Sequence, residues 1–411
     1  MNPGFFNYGR LSLGMQLIGT SFRADGSGNA IMLLSSADTA MPAAEPFDVA
    51  DSPTTFPSGV LFSINRNGDQ CGAYSALIPG VSGSGIYGRV RRAGRSEWEE
   101  ARLLGTSPGF SPGKTQVVLD EAGNCHIFWF GTSQDMFHNV WSRTTEDWLP
   151  LARRVNLSAG VATDNFVVEA LPSGEIIFAN VQQTASGSSR LVVRRLLNAD
   201  VEWSAESVLA AGQSIWDLYL GTSRFGHAAL VWGLSASPGA PVVARVARLA
   251  PGTSEWSLSE VLMEAGGSAT PQSVFVADDG TVYLRYETFA SGSRAHFRVS
   301  LASGSVAWSP RAALASGDTA ISTAYWVDGS GRQFRFSRVE FTGSGGVRTW
   351  RLELEEQEFM GSVWQRTFMS EFYSGIPLFS VRTLPNGVMF LSVRFTEAGT
   401  SRVYEDVYWR Q

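Results

Sequence analysis

The chain has 411 residues and almost no lysine, little charge and few of the residues that metals and reactive centres use. Lys114 is its one lysine, and the remaining strong bases are arginines. That bias reflects either the base composition of the gene or selection for planar, bidentate recognition by guanidinium. Charged residues make up 17% and the net charge is −6. A phosphate-binding surface needs clustered bases in excess, so no nucleic-acid partner is expected. Cys71 and Cys125 make no disulfide framework. No apolar run approaches the roughly 20 residues of a membrane span, so no membrane insertion is expected. MNPGFFNYGRLSLGMQLIG lacks a basic region followed by an apolar core, so no Sec signal is expected. The four histidines, His126, His138, His227 and His296, show no zinc spacing, and no C-x-x-C pair exists. No cofactor or metal is expected.

What the chain does have is a beat. Gly68, Gly123, Gly174, Gly226, Gly280, Gly331 and Gly387 recur 51 to 56 residues apart. Trp98, Trp148, Trp203, Trp256, Trp308 and Trp364 follow them by about half a period. Around Gly280, PQSVFVADDG reads as a strand entering a tight turn, and TVYLRYETF as an alternating second strand. HFRVSLASG and VAWSPRAAL supply a third and a fourth. Nothing sustains a period of 3.6, so helix should be nearly absent.

Four short antiparallel strands per unit, seven times over, predict an all-β, seven-bladed β-propeller across residues 55–411. Residues 1–54 read as an N-terminal extension. The last unit (IPLFSVRTLPNG, VMFLSVRF, RVYEDVYWR) is one strand short, and MQLIGTSF or NAIMLLSS is expected to supply that strand and close the ring. The equivalent cysteines fall on neighbouring strands and are read as a buried pair of free thiols, with a disulfide as the alternative. The recurrent tryptophans are expected to pack between blades. RLELEEQEF (Arg351–Phe359) reads as a third strand with one solvated face, which keeps Glu353 and Glu355 away from a channel.

Several motifs imitate chemistry. GTSPG and GFSPG match the nucleophile elbow, but Pro108 and Pro112 follow the serines and have no N–H for an oxyanion hole. GSGIYG (Gly83–Gly88) matches a dinucleotide fingerprint, yet RVRR follows as a strand rather than a helix. Asn156-Leu157-Ser158 is a glycosylation sequon by pattern alone. His126, His227 and His296 read as core or sheet-face residues. His138, in the polar stretch GTSQDMFHN, is the histidine to examine for function. Loops between second and third strands, and between fourth and first, should build a ligand face from Gln134, Asp135, His138, Asp164, Asn165, Trp216 and Asp217. Trp216 and Trp326 fall outside the beat and suit a ligand better than the others.

From Gly68 onward the W-S-x-x-x-x-L repeats (VEWSAESVL, SEWSLSEVL, VAWSPRAAL) resemble bacterial seven-bladed propellers of the lectin and sialidase-like kind. No S-x-D-x-G-x-T-W box of sialidases occurs. Arginines recur on third strands (Arg91, Arg195, Arg248, Arg298, Arg351) without the partner glutamate of fucose-binding propellers. GTSFRADGSGNA is similar to the openings of some tailed-phage structural proteins. The missing Sec signal, the N-terminal extension outside the repeat and the lack of a coherent catalytic set point to a non-catalytic binding or structural propeller. It would be a virion component such as a tail, fibre or capsid-decorating protein, located in the particle or in the producing cell's cytoplasm. Its partners would be other structural proteins or a surface glycan, and it could form an oligomer. Two alternatives are a soluble glycan-binding lectin and a glycosidase or lyase.

Overall fold

The computed structural model describes residues 6–13, 17–24 and 30–36 and, apart from stretches between elements, residues 58–410. Through residue 62 and from residue 367 it describes backbone alone. The described elements are all strands. They begin with β1 (Phe6–Leu13), β2 (Leu17–Ala24) and β3 (Ala30–Ser36). β4 (Ser58–Ile64), β5 (Gln70–Leu77), β6 (Ser84–Arg91) and β7 (Arg102–Ser107) form one antiparallel sheet in that order. The next contains β8 (Thr115–Leu119), β9 (Cys125–Phe130) and β10 (Met136–Ser142). Its fourth strand is broken into β11 (Asp147–Trp148) and β12 (Arg153–Arg154), which both pair with β10. Then come β13 (Ala162–Ala170), β14 (Ile176–Gln183), β15 (Ser189–Leu196) and β16 (Ser207–Thr222), paired in sequence. These sheets lie in one compact unit, Ile18–Leu220 with Leu234–Ala240.

The other unit comprises Met1–Leu17, Gly221–Gly233 and Pro241–Gln411. It holds β17 (Ala228–Ser235) except its last two residues, β18 (Val243–Leu249) and β19 (Ser257–Leu262). Next is a sheet of β20 (Ser268–Val276), β21 (Val282–Ala290), β22 (Ser293–Leu301) and β23 (Ala312–Ala313). β24 (Thr323–Val327), β25 (Gln333–Thr342), β26 (Arg348–Gln357) and β27 (Gln365–Met369) form another. The last sheet is β28 (Leu378–Thr383), β29 (Met389–Thr396) and β30 (Val403–Arg410), with β1 as its fourth strand. These antiparallel sheets of about four strands are those of propeller blades. The N-terminal segment therefore completes the last sheet through a different strand from those expected. Phe6–Leu13 pairs with β30, while MQLIGTSF and NAIMLLSS fall on β2 and β3, which pair with each other.

The glycine beat has a local cause. Gly123, Gly174, Gly226, Gly280 and Gly331 all sit at φ between 81° and 89°, the left-handed region that side chains with a Cβ resist. Each ends a tight turn between first and second strands. In three of them a side-chain oxygen at the turn's start holds the following amides. Asp120 accepts from Asn124, Ser223 from Phe225 and His227, and Asp328 from Ser330 and Arg332. Asn65 does the same for Asn67 and Asp69, in the turn containing Gly68, which lies outside the described residues.

Turns of adjacent sheets also bond to each other. Asn65 and Asn67 donate to the carbonyls of Asp120 and Glu121, and Asp278 N donates to Gly329 O.

Apolar clusters lie between sheets. Ile86, Val90, Cys71 and Leu104 of one sheet pack on Ile127, Trp129, Trp141 and Trp148 of the next. Trp203 joins Phe128, Phe166 and Phe178 in a second cluster. Trp148 and Trp203 thus have the packing role expected of them, while Trp364 lies outside the described residues. Cys71 on β5 and Cys125 on β9, both fully buried, are joined in a disulfide with Cα atoms 5.7 Å apart. The free-thiol expectation is corrected: neighbouring second strands bring the two Cα atoms within bridging range.

Candidate functional site

Of the residues expected to form a ligand face, the structure describes some and not others. Gln134 and the side chain of Asp164 lie outside the described residues, as does the side chain of Trp326. Asp135 is buried and accepts a hydrogen bond from Asn156 Nδ2 at 3.0 Å, with Arg154 Nη1 at 3.9 Å. Asn156 Oδ1 in turn accepts from Met136 N, so this pair clamps the start of β10. The sequon asparagine is spent on that clamp, 2% exposed. Asn165 is half-buried on β13 and its carbonyl accepts from Asn180 Nδ2. Trp216 and Asp217 stand exposed on β16, Asp217 in the left-handed region at φ 43°. Both elbow prolines and Gly109–Gly113 lie outside the described residues, and Gly83–Gly88 runs into strand β6.

His138 is a correction. It lies on β10 rather than in a loop and is fully buried, stacked on Phe128 and edged by Trp203. His138 Nε2 lies 3.1 Å from His126 Nδ1, and His126 Nε2 faces Asp120 Oδ2 at 3.6 Å. Burial works against the Asp120 carboxylate, but contacts with His126 and Asn124 outweigh it and hold its pKa below the usual range. An ionised Asp120 orients the Nε2–H of His126 toward itself, which leaves His126 Nδ1 to accept from His138. Burial first, then His126 and Arg153, push His138 well below the ordinary histidine value. His138 is held neutral and both rings are closed to solvent, which makes the pair a packing element. His227 also departs from expectation, since it precedes β17 rather than lying within a strand.

A more open arrangement lies in the other unit. Glu287 on β21 pairs directly with His296 on β22, Arg285 with Arg298, and Phe289 with Arg294. Alternation puts all six on one sheet face. His296 Nε2 faces Glu287 Oε2 at 3.9 Å, and Arg294 Nη1 meets Glu287 Oε1 at 3.4 Å. Burial and the nearby Arg285 lower the His296 pKa, and Glu287 opposes them. Phe289 is 57% exposed at the hairpin end.

Deeper along the face, Arg298 donates to Gln357 Oε1 of the neighbouring sheet. Arg335 there binds Glu355 at 2.6 Å. Tyr325 donates to Gln333 at 2.7 Å. Burial, with Asp279 and Asp328 nearby, pushes Tyr283 up to about 12, and burial raises Tyr325 too. Neither phenol is poised to give up a proton near neutral pH. On β26 the solvated-face expectation fails for Glu353. It is 6% exposed and held by Arg351 at 2.5 Å and Arg366 at 2.9 Å. Among the described residues no cluster of histidine, cysteine or carboxylate could hold a metal.

Taken singly, His296 does not mark this face. The signal was the spacing R-x-E-x-F in Arg285–Phe289 against R-x-H-x-R in Arg294–Arg298. Strand alternation turns each into a row.

No protein-family model and no curated protein matches the chain. Among solved structures it is similar to the polysaccharide lyase Uly1. The TM-score is 0.53 at 10% identity, over 84% of this chain and 89% of that one. It also has a likeness to the Hadza microbial sialidase Hz136, with a TM-score of 0.41, 12% identity and coverage of 81% and 73%. A third is the intramolecular trans-sialidase from Ruminococcus gnavus, with a TM-score of 0.40, 12% identity and coverage of 85% and 94%. At this identity the likeness is one of fold alone.

Proposed function

We propose that this protein is a glycan-binding β-propeller that recognises sugars at the β21–β22 hairpin without turning them over. The observation that carries the reading is the exposed Phe289 beside the row of Glu287, Arg294 and His296. An aromatic face offers a platform to the apolar side of a sugar ring, and a few fixed polar groups give orientation. The likeness to a polysaccharide lyase supports a carbohydrate-directed use of the fold. This reading takes the lectin alternative over the particle-component one. On it, each sheet is one of seven blades, and the pairing of β1 with β30 is the contact that closes the ring. Binding without chemistry suits a site whose carboxylate is engaged by Arg294 and whose imidazole is buried. A glycan array followed by titration of the best ligand tests it. Phe289→Ala should weaken binding at least tenfold with an unchanged far-UV spectrum. An array without hits, or equal affinity in the variant, would refute it.

A further inference from the structure

We propose that Trp216 is the stacking platform of a second sugar subsite, so that the ligand is a polysaccharide held at two separate platforms. The inference rests on the glycan reading above and narrows it to a polymeric ligand. Phe289 belongs to the unit containing Pro241–Gln411, and Trp216 to that containing Ile18–Leu220. A chain of repeated sugars that engages one platform meets the other as an intramolecular partner.

The basis is an aromatic side chain turned outward where the strand's alternation is reset. Along β16 the order is Ile215, Trp216, Asp217, Leu218. Ile215 is 6% exposed, and strict alternation would then bury Asp217 and expose Leu218. Instead Leu218 is 5% exposed, while Trp216 and Asp217 both face solvent, Trp216 at 53%. The left-handed φ of 43° at Asp217 makes that reset. Aspartate enters this region more readily than most residues, yet the conformation stays sparsely populated and such outliers gather at ligand clamps. Among the described tryptophan side chains the others are buried or half-buried, so an indole left in water is the exception.

Polar groups gather at the same end of this sheet. Ser189 pairs with Gln213, three residues before Trp216, so the β14–β15 hairpin end lies beside the stretch of β16 that leads to Trp216. There Arg190 donates to Gln182 Oε1 and Glu206 Oε2, and Gln182 Nε2 donates to Glu206 Oε1. The Arg190 side chain is 30% exposed, so an anchored guanidinium is reachable from water. Ala162 pairs with Gln182, and the register then breaks before Phe166, around Asn165. A bulge of this kind re-aims side chains and is common beside binding sites. A flat apolar ring with anchored polar groups at the same sheet end suits a pyranose, its C–H face on the ring and its hydroxyls on the polar groups. The exposed neighbour of the indole is the charged Asp217, unlike the apolar core of a protein interface.

The experiment uses the full chain. Wild type, Trp216→Ala, Trp216→Phe, Phe289→Ala and the double alanine variant are run by affinity electrophoresis through xylan, laminarin and polygalacturonate, with far-UV spectra as a control. On the polymer that retards wild type, each single alanine variant should bind at least tenfold more weakly and the double variant should not be retarded. Trp216→Phe keeps a ring and should retain most of the retardation. The same polymer should change the tryptophan fluorescence of wild type more than that of Trp216→Phe, which decides the matter if Trp216→Ala does not fold; an equal change would overturn the subsite. Binding lost in Phe289→Ala but kept in Trp216→Ala would overturn the second subsite and keep the glycan reading. The reverse would overturn the two-platform ligand and move the glycan site to Trp216. A Trp216→Ala variant altered in sedimentation and not in retardation would overturn the subsite in favour of a contact between copies of this chain. No retardation of wild type by any polymer would overturn both readings.

Discussion

Replacing Gly88 by alanine tests whether adjacent sheets are packed as tightly as the buried tryptophans imply. A Cβ at Gly88, on β6, would lie 2.7 Å from Cη2 and Cζ2 of Trp148 and 2.8 Å from Cδ1 of Ile127. Carbon atoms rest at about 3.5–4.0 Å, so roughly 1 Å of movement is required. Ile127 is fully buried and Trp148 is 7% exposed, which leaves neither an easy retreat. Overpacking of this kind costs about 1–3 kcal/mol. Alanine in a strand recovers about 0.5–1 kcal/mol of backbone entropy over glycine. With neither neighbour able to retreat the clash wins, and a net loss of up to about 2.5 kcal/mol is expected. Equilibrium urea unfolding followed by far-UV circular dichroism reads it as a lowered midpoint. In a Trp148→Phe background, where the indole atoms are gone and only the Ile127 contact remains, Gly88→Ala should cost less than in the wild type. A double-mutant cycle without coupling, or an unmoved midpoint in the single variant, would refute the packing argument.

Two further expectations concern the other buried groups. His138 must stay neutral in the folded chain but protonates in the unfolded chain near pH 6.5. Its contribution is therefore complete above that value and falls as the pH drops, the unfolding equilibrium shifting by up to about tenfold per pH unit. Thermal melts from pH 8 to 5 should show this slope, and His138→Phe should flatten it; an equal slope in the variant would remove His138 from the account. The Cys71–Cys125 bridge closes a separation of 54 residues, for which loop entropy predicts about 4 kcal/mol. Thermal melts with and without dithiothreitol should differ for wild type and coincide for a Cys71→Ala, Cys125→Ala variant; matching wild-type curves would refute the bridge.

The repeat was legible in the sequence because its punctuation is local. A turn that needs a left-handed residue selects glycine, as at Gly174 with φ 84°, and the chain records that need once per unit. The strand that completes the last sheet was not legible. FNYGRLSL and MQLIGTSF alternate alike, and β30 chooses between them through pairing across almost the full length of the chain. The same limit governs the histidines. His138 sits among polar letters, yet alternation along β10 turns it onto Phe128, which arrives from β9, and Trp203, which arrives from between β15 and β16. Cys71 and Cys125 were correctly placed on neighbouring strands, but their bonding depends on a Cα spacing that no sequence period encodes. The row of Arg285, Glu287 and His296 was recoverable in principle, since two strands of known register suffice to align it.

The bonds from Asn65 and Asn67 to Asp120 and Glu121, and from Asp278 to Gly329, have an evolutionary corollary. In both pairs the earlier turn gives and the later one receives, so a repeated unit with both roles would carry the two halves of the same joint. When a gene segment encoding such a unit is duplicated, the newcomer arrives with a compatible connector on either flank. Lineages can then gain or lose a module by recombination without inventing a junction, and each copy is afterwards at liberty to diverge on the opposite rim.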